Sequence, residues 1–267
     1  MTKPQNGFAA AVQPIEAHTI HTDTEGLAAG VIDVSAGDRA IPVYCAVPDG
    51  EGPYPIVLVV MEIFGLHEYI CDVCRRLAKR GYLALAPDIF VRAGDPSQMT
   101  DITQIRNEVI LPTPDAQIMS DLDATAHWAG REGKGDITRL GITGFCWGGR
   151  TVWLYAAHNP DVKAGVAWYG RLDGDHTENQ PVWPIDVADA LKAPVLGLYG
   201  GQDSSIPADL VSRFNESLSS TGSESYIHVY PNAGHGFHAD YRPNYCEIEA
   251  TDGERRMYAW LAEHGVG

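Results

Sequence analysis

A cysteine with a glycine two residues to either side, Gly144-Phe145-Cys146-Trp147-Gly148-Gly149, constrains this chain more than any other segment. An apolar run, Leu140 to Thr143, leads into it, and a helix-like stretch, Thr151 to Ala157, follows. The context is therefore strand, tight turn, helix, with the flanking glycines at the spacing of a nucleophile elbow. Such a turn crowds the backbone on both sides, so a Cβ at either flank would clash. It lifts the central side chain above the sheet. It also aims the Trp147 N–H and the start of the next helix at one point, where negative charge is favoured. The bland alternative is a small buried cysteine beside a glycine-rich turn. A strand on one side and a helix on the other argue against it.

The elbow sits inside a longer alternation. Pro55 to Met61 is a continuous apolar run, as for a strand buried on both faces. A helix is expected over 68–79, a strand over 82–86, a helix over 115–130 and a strand over 139–143. After the elbow helix come strands at 163–168, 194–199 and 225–230, with helices at 208–218 and 254–264. Residues 92–113 read as a polar excursion and 169–192 as a loop or small cap. Before residue 55 the pattern differs: short strands are expected at 18–24 and 30–35, and Ile41 to Val47 alternates with period two. Together these predict an α/β fold. Its mostly parallel central sheet has helices on both faces and is extended at one edge by N-terminal strands. Residues 1–17 read as a tail and 18–267 as a single domain.

Composition removes several classes of function. The formal net charge is −16, which speaks against nucleic-acid and anionic-membrane partners. The five cysteines are scattered, form no disulfide framework and fit a reducing, cytoplasmic setting. No apolar stretch near the start is long enough for a signal peptide or a membrane span. Cys71-x-x-Cys74 resembles a redox or metal pair. Without a second pair or a spaced histidine, it reads instead as part of a helical core stripe with Ile70, Val73 and Leu77. Neither a metal nor a cofactor is expected.

A cysteine nucleophile needs a base and a group to orient that base. Two later strands end in loops that offer them: Gly200-Gly-Gln-Asp203-Ser-Ser and Asn232-Ala-Gly-His235-Gly-Phe237. Open α/β sheets bind ligands at the carboxyl ends of their strands, so the three loops should converge. The chain order, Cys146, Asp203, His235, is that of the α/β-hydrolases. Taken singly, Asp203 also reads as a helix cap and His235 as a turn histidine, and His238 is a rival base. The segment after the first buried strand, Met61-Glu62-Ile63-Phe64-Gly65, stands where that fold places its second oxyanion amide. Ile63 and Trp147 N–H groups are thus the expected oxyanion hole, with Glu62 a carboxylate beside the cysteine.

Glu62-Ile-Phe-Gly65, Pro87-Asp-Ile-Phe-Val-Arg92, Gly144-Phe-Cys-Trp-Gly-Gly149, Gly201-Gln-Asp203 and Gly234-His-Gly-Phe237 together resemble the dienelactone hydrolases, or carboxymethylenebutenolidases. The resemblance runs from about residue 30 to the end. It implies an α/β-hydrolase that needs no cofactor and hydrolyses a small lactone or ester, as in dienelactone to maleylacetate. It implies a Cys146–His235–Asp203 triad, and a Glu62 that keeps the cysteine a resting thiol until substrate arrives. It also implies that Arg92 holds a substrate carboxylate. The family's second arginine, four residues after the histidine, is Ala239 here, with Arg242 nearby but out of register. Two other readings use the same residues: a thioesterase or general carboxylesterase, and a catalytically silent relative serving as a binding or sensor protein.

Overall fold

The computed structural model describes residues 7–12 and 14–267. The apolar run after residue 54 forms β3 (Tyr54–Val60), buried at every position but Tyr54. Its neighbours are β4 (Leu83–Pro87) on one side and β5 (Gly135–Phe145) on the other, both parallel to it. Beyond β5 the parallel order continues through β6 (Val162–Trp168), β7 (Val195–Gly200) and β8 (Tyr226–Tyr230). Two strands, β1 (Leu27–Ser35) and β2 (Ala40–Pro48), extend the other edge antiparallel, giving the order β1-β2-β4-β3-β5-β6-β7-β8. This is the expected α/β-hydrolase fold, mostly parallel with extra N-terminal strands.

Helices cover both faces: α1 (Glu68–Lys79) and α6 (Glu247–Glu263) on one, α3 (Asp115–Arg131) and α4 (Trp147–His158) on the other. Arg76 reaches Glu254 across the first pair, and Tyr155 reaches Asp123 across the second. Within β7 the alternation is explicit. Gly197 faces Trp153 of α4, while Leu198 faces Gly253 of α6. Two further helices, α2 (Ile102–Ile105) and α5 (Ala208–Ser220), lie in the loop after β4 and before β8.

The chain changes direction between β3 and β5. It proceeds from β3 to β4 on one side, then crosses back to β5 on the other. This is a topological switch point, where α/β sheets form their binding crevices. The register makes it specific: Val60 pairs with Gly144, so Glu62 and Cys146 each lie two residues beyond one paired position.

Four local expectations change. Residues 18–24 are not a strand; Thr22 instead binds Asp72 and Arg75 of α1 through its backbone. The excursion over 92–113 carries a short 3₁₀ turn (Pro96–Gln98), α2 and a π turn (Arg106–Ile110). Helix α6 begins at Glu247, well before residue 254. Gly253 disguised that start, because a glycine mid-helix weakens the pattern. It is required there: a Cβ would stand 2.6 Å from the Trp168 ring. Finally, Phe8 and Ala9, inside the expected tail, are buried; the Phe8 ring packs tilted against Tyr241 and His67.

Candidate active site

The elbow forms as its glycines demand. Cys146 has φ 55° and ψ −110°, a conformation that costs a non-glycine residue energy and tends to mark functional sites. A Cβ on Gly148 would sit 2.1 Å from the Val60 carbonyl oxygen, and one on Gly144 2.5 Å from that of Gly148. The turn is fixed by Cys146 N–H donating to the Trp168 carbonyl at 3.0 Å. Trp147 opens α4, so its N–H is among those a helix leaves without an intrahelical partner.

His235 follows β8 and Asp203 follows β7. His235 Nδ1 lies 2.7 Å from Asp203 Oδ2, which leaves Nε2 as the nitrogen available to Cys146. The other Asp203 oxygen accepts from the Ser205 hydroxyl at 2.6 Å and the Ser205 amide at 2.8 Å. Asp203 is thus oriented by its own turn as well as by the histidine. Burial disfavours the His235 imidazolium, but the charge of a Cys146 thiolate opposite, with the bonds to Asp203 and Cys146, outweighs it. Its pKa is pushed up to about 10. Burial likewise works against the Asp203 carboxylate, yet His235 and Ser205 hold its pKa below the ordinary value.

A cavity of about 450 Å³ opens over these groups. Cys146, His235, Ser205, Ile63 and Trp147 all line it, so both expected oxyanion residues lie on the same cavity as the sulfur. Its apolar wall is Phe64, Ile102, Ile110, Leu111 and Trp183, and its charges are Arg106, Arg171, Arg242 and Asp175. Two loops carry this wall. The Gln180 amide, itself buried, ties them by donating to the carbonyls of Thr113 at 2.8 Å and Ile110 at 3.2 Å. Beneath them, Arg150 of α4 is fully buried. It forms a two-pronged pair with Asp115 (2.7 Å each) and lies 4.6 and 4.3 Å from the Trp147 and Trp183 rings.

Glu62 lies behind the cavity and is fully buried. The Tyr241 hydroxyl donates to its Oε2 at 2.7 Å. Two further contacts are longer: Arg242 Nη1 at 3.6 Å from Oε1 and His67 Nε2 at 3.8 Å from Oε2. Burial raises its pKa, but His67, Arg242 and Tyr241 together bring it below the ordinary value, so the group is a carboxylate.

Arg92 requires a correction. It is not on the cavity. All its guanidinium nitrogens bind two carboxylates, Asp38 at 2.5 and 2.9 Å and Asp121 at 2.7 and 3.0 Å. A guanidinium so paired has no edge left for a substrate. The cavity's arginines are Arg106, Arg171 and Arg242 instead. Among the described residues, neither Arg106 nor Arg171 is paired with a carboxylate. The sequence offered a signal for Arg242 alone, in the Tyr241-Arg-Pro-Asn-Tyr245 run. The rival base, His238, is buried between the Tyr69 hydroxyl (2.6 Å) and Glu254 (3.1 Å), away from the cavity. Cys74 is buried in the α1 stripe as expected, and no group of three or more His, Cys, Asp or Glu among the described residues is arranged to hold a metal. No helix of the described residues is long and apolar enough to cross a membrane.

The chain matches known proteins over nearly its whole length. A family model described as the dienelactone hydrolase family matches residues 41–265. A Methylorubrum extorquens protein named "Putative carboxymethylenebutenolidase" is 56% identical over 99% of this chain and 91% of its own length. An Escherichia coli K12 protein of the same name is 49% identical over 99% and 97%. A solved Klebsiella pneumoniae structure, named "Putative Dienelactone Hydrolase", superposes with a TM-score of 0.87 at 52% identity, covering 89% of this chain and 99% of that one.

Proposed function

This chain belongs to the dienelactone hydrolase family, and we propose that it cleaves lactones or small carboxylic esters through an acyl-enzyme on Cys146. A carboxylic ester hydrolase is what the family and its near relatives amount to; the triad and the intermediate are the reading offered here. One observation carries it: Cys146, His235, Ile63 and Trp147 line a single cavity, and Asp203 stands 2.7 Å behind the histidine.

The Cys146 sulfur attacks the carbonyl carbon. The carbonyl oxygen gains charge and is received by the Ile63 and Trp147 N–H groups, at the positive end of α4. As the tetrahedral intermediate collapses, the ring or ester C–O bond breaks. His235, an imidazolium beside the activated thiolate, gives its Nε2 proton to the leaving oxygen, to be reprotonated by the water of the next step. Asp203 holds the imidazole with its Nδ1–H inward throughout. Water, deprotonated by His235, then attacks the thioester, and the sulfur departs with its electron pair. No step calls on a cofactor or metal.

Glu62 acts as a gate. A carboxylate held by one short hydrogen bond and two longer contacts is able to turn. An anionic group on the substrate draws Arg242 away, Glu62 loses a counter-charge and takes the proton of the Cys146 thiol. The S–H bond breaks, an O–H bond forms, and sulfur keeps the pair. Arg106 and Arg171 at the same cavity favour acidic substrates. The free state of all five cysteines fits a cytoplasmic, reducing location.

The test is turnover of p-nitrophenyl acetate and an enol-lactone panel by wild type and Cys146→Ala, with intact-mass detection of the acyl-enzyme. A Cys146→Ala protein that keeps more than about a tenth of the activity would sink the assignment, since loss of a nucleophile costs far more.

A further inference from the structure

His67 immediately precedes α1, and its side chain is wholly enclosed. Phe8, Phe64, Tyr69 and Tyr241 surround the ring, with centroids 5.3 to 6.4 Å away. Neither ring nitrogen has a hydrogen-bond partner among the described residues, and Glu62 Oε1 has no hydrogen bond either, only the Arg242 charge at 3.6 Å. Unpaired buried polar groups are costly and in native proteins call for an explanation. Here three such atoms cluster around one carboxylate, whose Oε2 is 3.8 Å from His67 Nε2. That separation is too long for a hydrogen bond and short enough to become one with a small turn of the carboxylate. The groups facing His67 are Glu62 from the loop after β3, Tyr69 from α1, and Tyr241 from the loop after β8, with Arg242 on the far side of Glu62.

We propose that His67 is a positioning residue for the Glu62 gate: the second charge partner onto which Glu62 turns when an anionic substrate engages Arg242. This rests on the gate described above. While His67 carries a proton, Glu62 exchanges one cation for another, remains a carboxylate, and leaves the Cys146 thiol intact. While His67 is neutral, Glu62 is left without a cation in an apolar pocket and accepts the thiol proton. His67 thereby sets the lower pH limit at which an anionic ligand can open the gate. Phe8, lying on both His67 and Tyr241, seals this pocket with a segment that precedes the family match at residue 41.

The experiment reads the thiol directly, without turnover. Iodoacetamide labelling of the Cys146 peptide is followed by mass spectrometry between pH 5.5 and 8.5, with and without benzoate as an anionic probe. In wild type, benzoate should accelerate labelling at the upper end of this range and lose its effect at the lower end. In His67→Phe, which fills the ring space without nitrogens, and in His67→Gln, which keeps polarity without charge, the acceleration should persist about one pH unit lower, as for loss of a cation beside a carboxylate. Curves for both variants that superimpose on wild type overturn the proposal, leaving His67 a packing residue whose loss shows only in Tm. The gate itself is judged separately. Benzoate acceleration that is present in wild type and absent in Glu62→Gln upholds it, and no acceleration in wild type at any pH removes both the gate and the role of His67.

Discussion

Arg242 Nη1 stands 3.6 Å from Glu62 Oε1, while its chain neighbour Tyr241 donates to Oε2 at 2.7 Å. Consecutive residues of one loop thus hold both oxygens of one buried carboxylate, one by charge and the other by a hydrogen bond. The arginine that looked out of register from sequence therefore links Glu62 to the cavity. Glu62→Gln removes both the charge and the proton acceptor. Resting Cys146 should alkylate faster with iodoacetamide at pH 7 in that variant, since a nearby carboxylate disfavours a thiolate, while kcat falls because the gate is lost. Equal alkylation rates in variant and wild type would rule out gating.

The triad prediction separates two histidines. His235→Ala should be nearly inactive, losing ~10⁴-fold or more in kcat. Asp203→Asn should be low but measurable, because geometry survives while the tautomer is wrong. His238 contacts Tyr69 and Glu254 rather than the cavity, so His238→Ala should lower Tm far more than it lowers kcat/KM. The reverse ranking of the two histidine variants would mean that the base is misassigned.

Asp203 and His235 also predict a pH dependence of stability. Opposite a Cys146 thiolate the folded pKa of His235 is about 10 against an ordinary 6.5, and Asp203 supplies part of that rise. A raised pKa stabilises the fold fully below the unfolded value, and the stabilisation is lost as pH rises through the folded one. The Tm difference between wild type and Asp203→Asn should therefore be largest near pH 6 and shrink steadily toward pH 10. A gap that widens with pH would contradict this sign.

Arg150 is a purely structural prediction. It is buried, pairs with Asp115 by two bonds, and packs against the Trp147 and Trp183 rings. Removing one partner strands the other charge, which costs ~3–5 kcal/mol. Asp115→Ala should show that loss in a denaturation midpoint. Arg150→Met together with Asp115→Leu should recover much of it, since apolar replacements of such a pair are often tolerated.

The sequence was readable wherever the candidate site depends on local backbone. The elbow needs Gly144 and Gly148 beside Cys146, and Asp203 and His235 lie in turns directly after apolar strands, so spacing and chain order suffice. Helix α1 is equally local: its apolar stripe and Gly81 mark 68–79, which is the span observed. What stayed hidden depends on distant partners. Phe8 looks like tail until His67 and Tyr241 supply its pocket. The start of α6 is obscured by Gly253, whose reason is a ring of Trp168. Arg92 follows a strand end that points at the site. Whether its side chain is free depends on Asp38 and Asp121, which are remote in sequence.

That exchange of arginines gives the last prediction. Arg92 is neutralised by two carboxylates, one of them, Asp121, buried, so its role is to hold β4's following loop against α3. Arg92→Ala should lower Tm and leave the ratio of kcat/KM for an acidic lactone over a neutral analogue near its wild-type value. Among the described residues Arg106 and Arg171 line the cavity unpaired with any carboxylate, and a substrate anion can pair with them. A charge-assisted hydrogen bond is worth ~1.5–3 kcal/mol, so Arg106→Ala or Arg171→Ala should reduce that ratio by roughly ten- to a hundred-fold. The loss should lie mainly in KM for the acidic substrate, with the neutral analogue little changed. If Arg92→Ala collapses the preference while both cavity variants retain it, the paired arginine must release its carboxylates when substrate binds, and the specificity argued here is wrong.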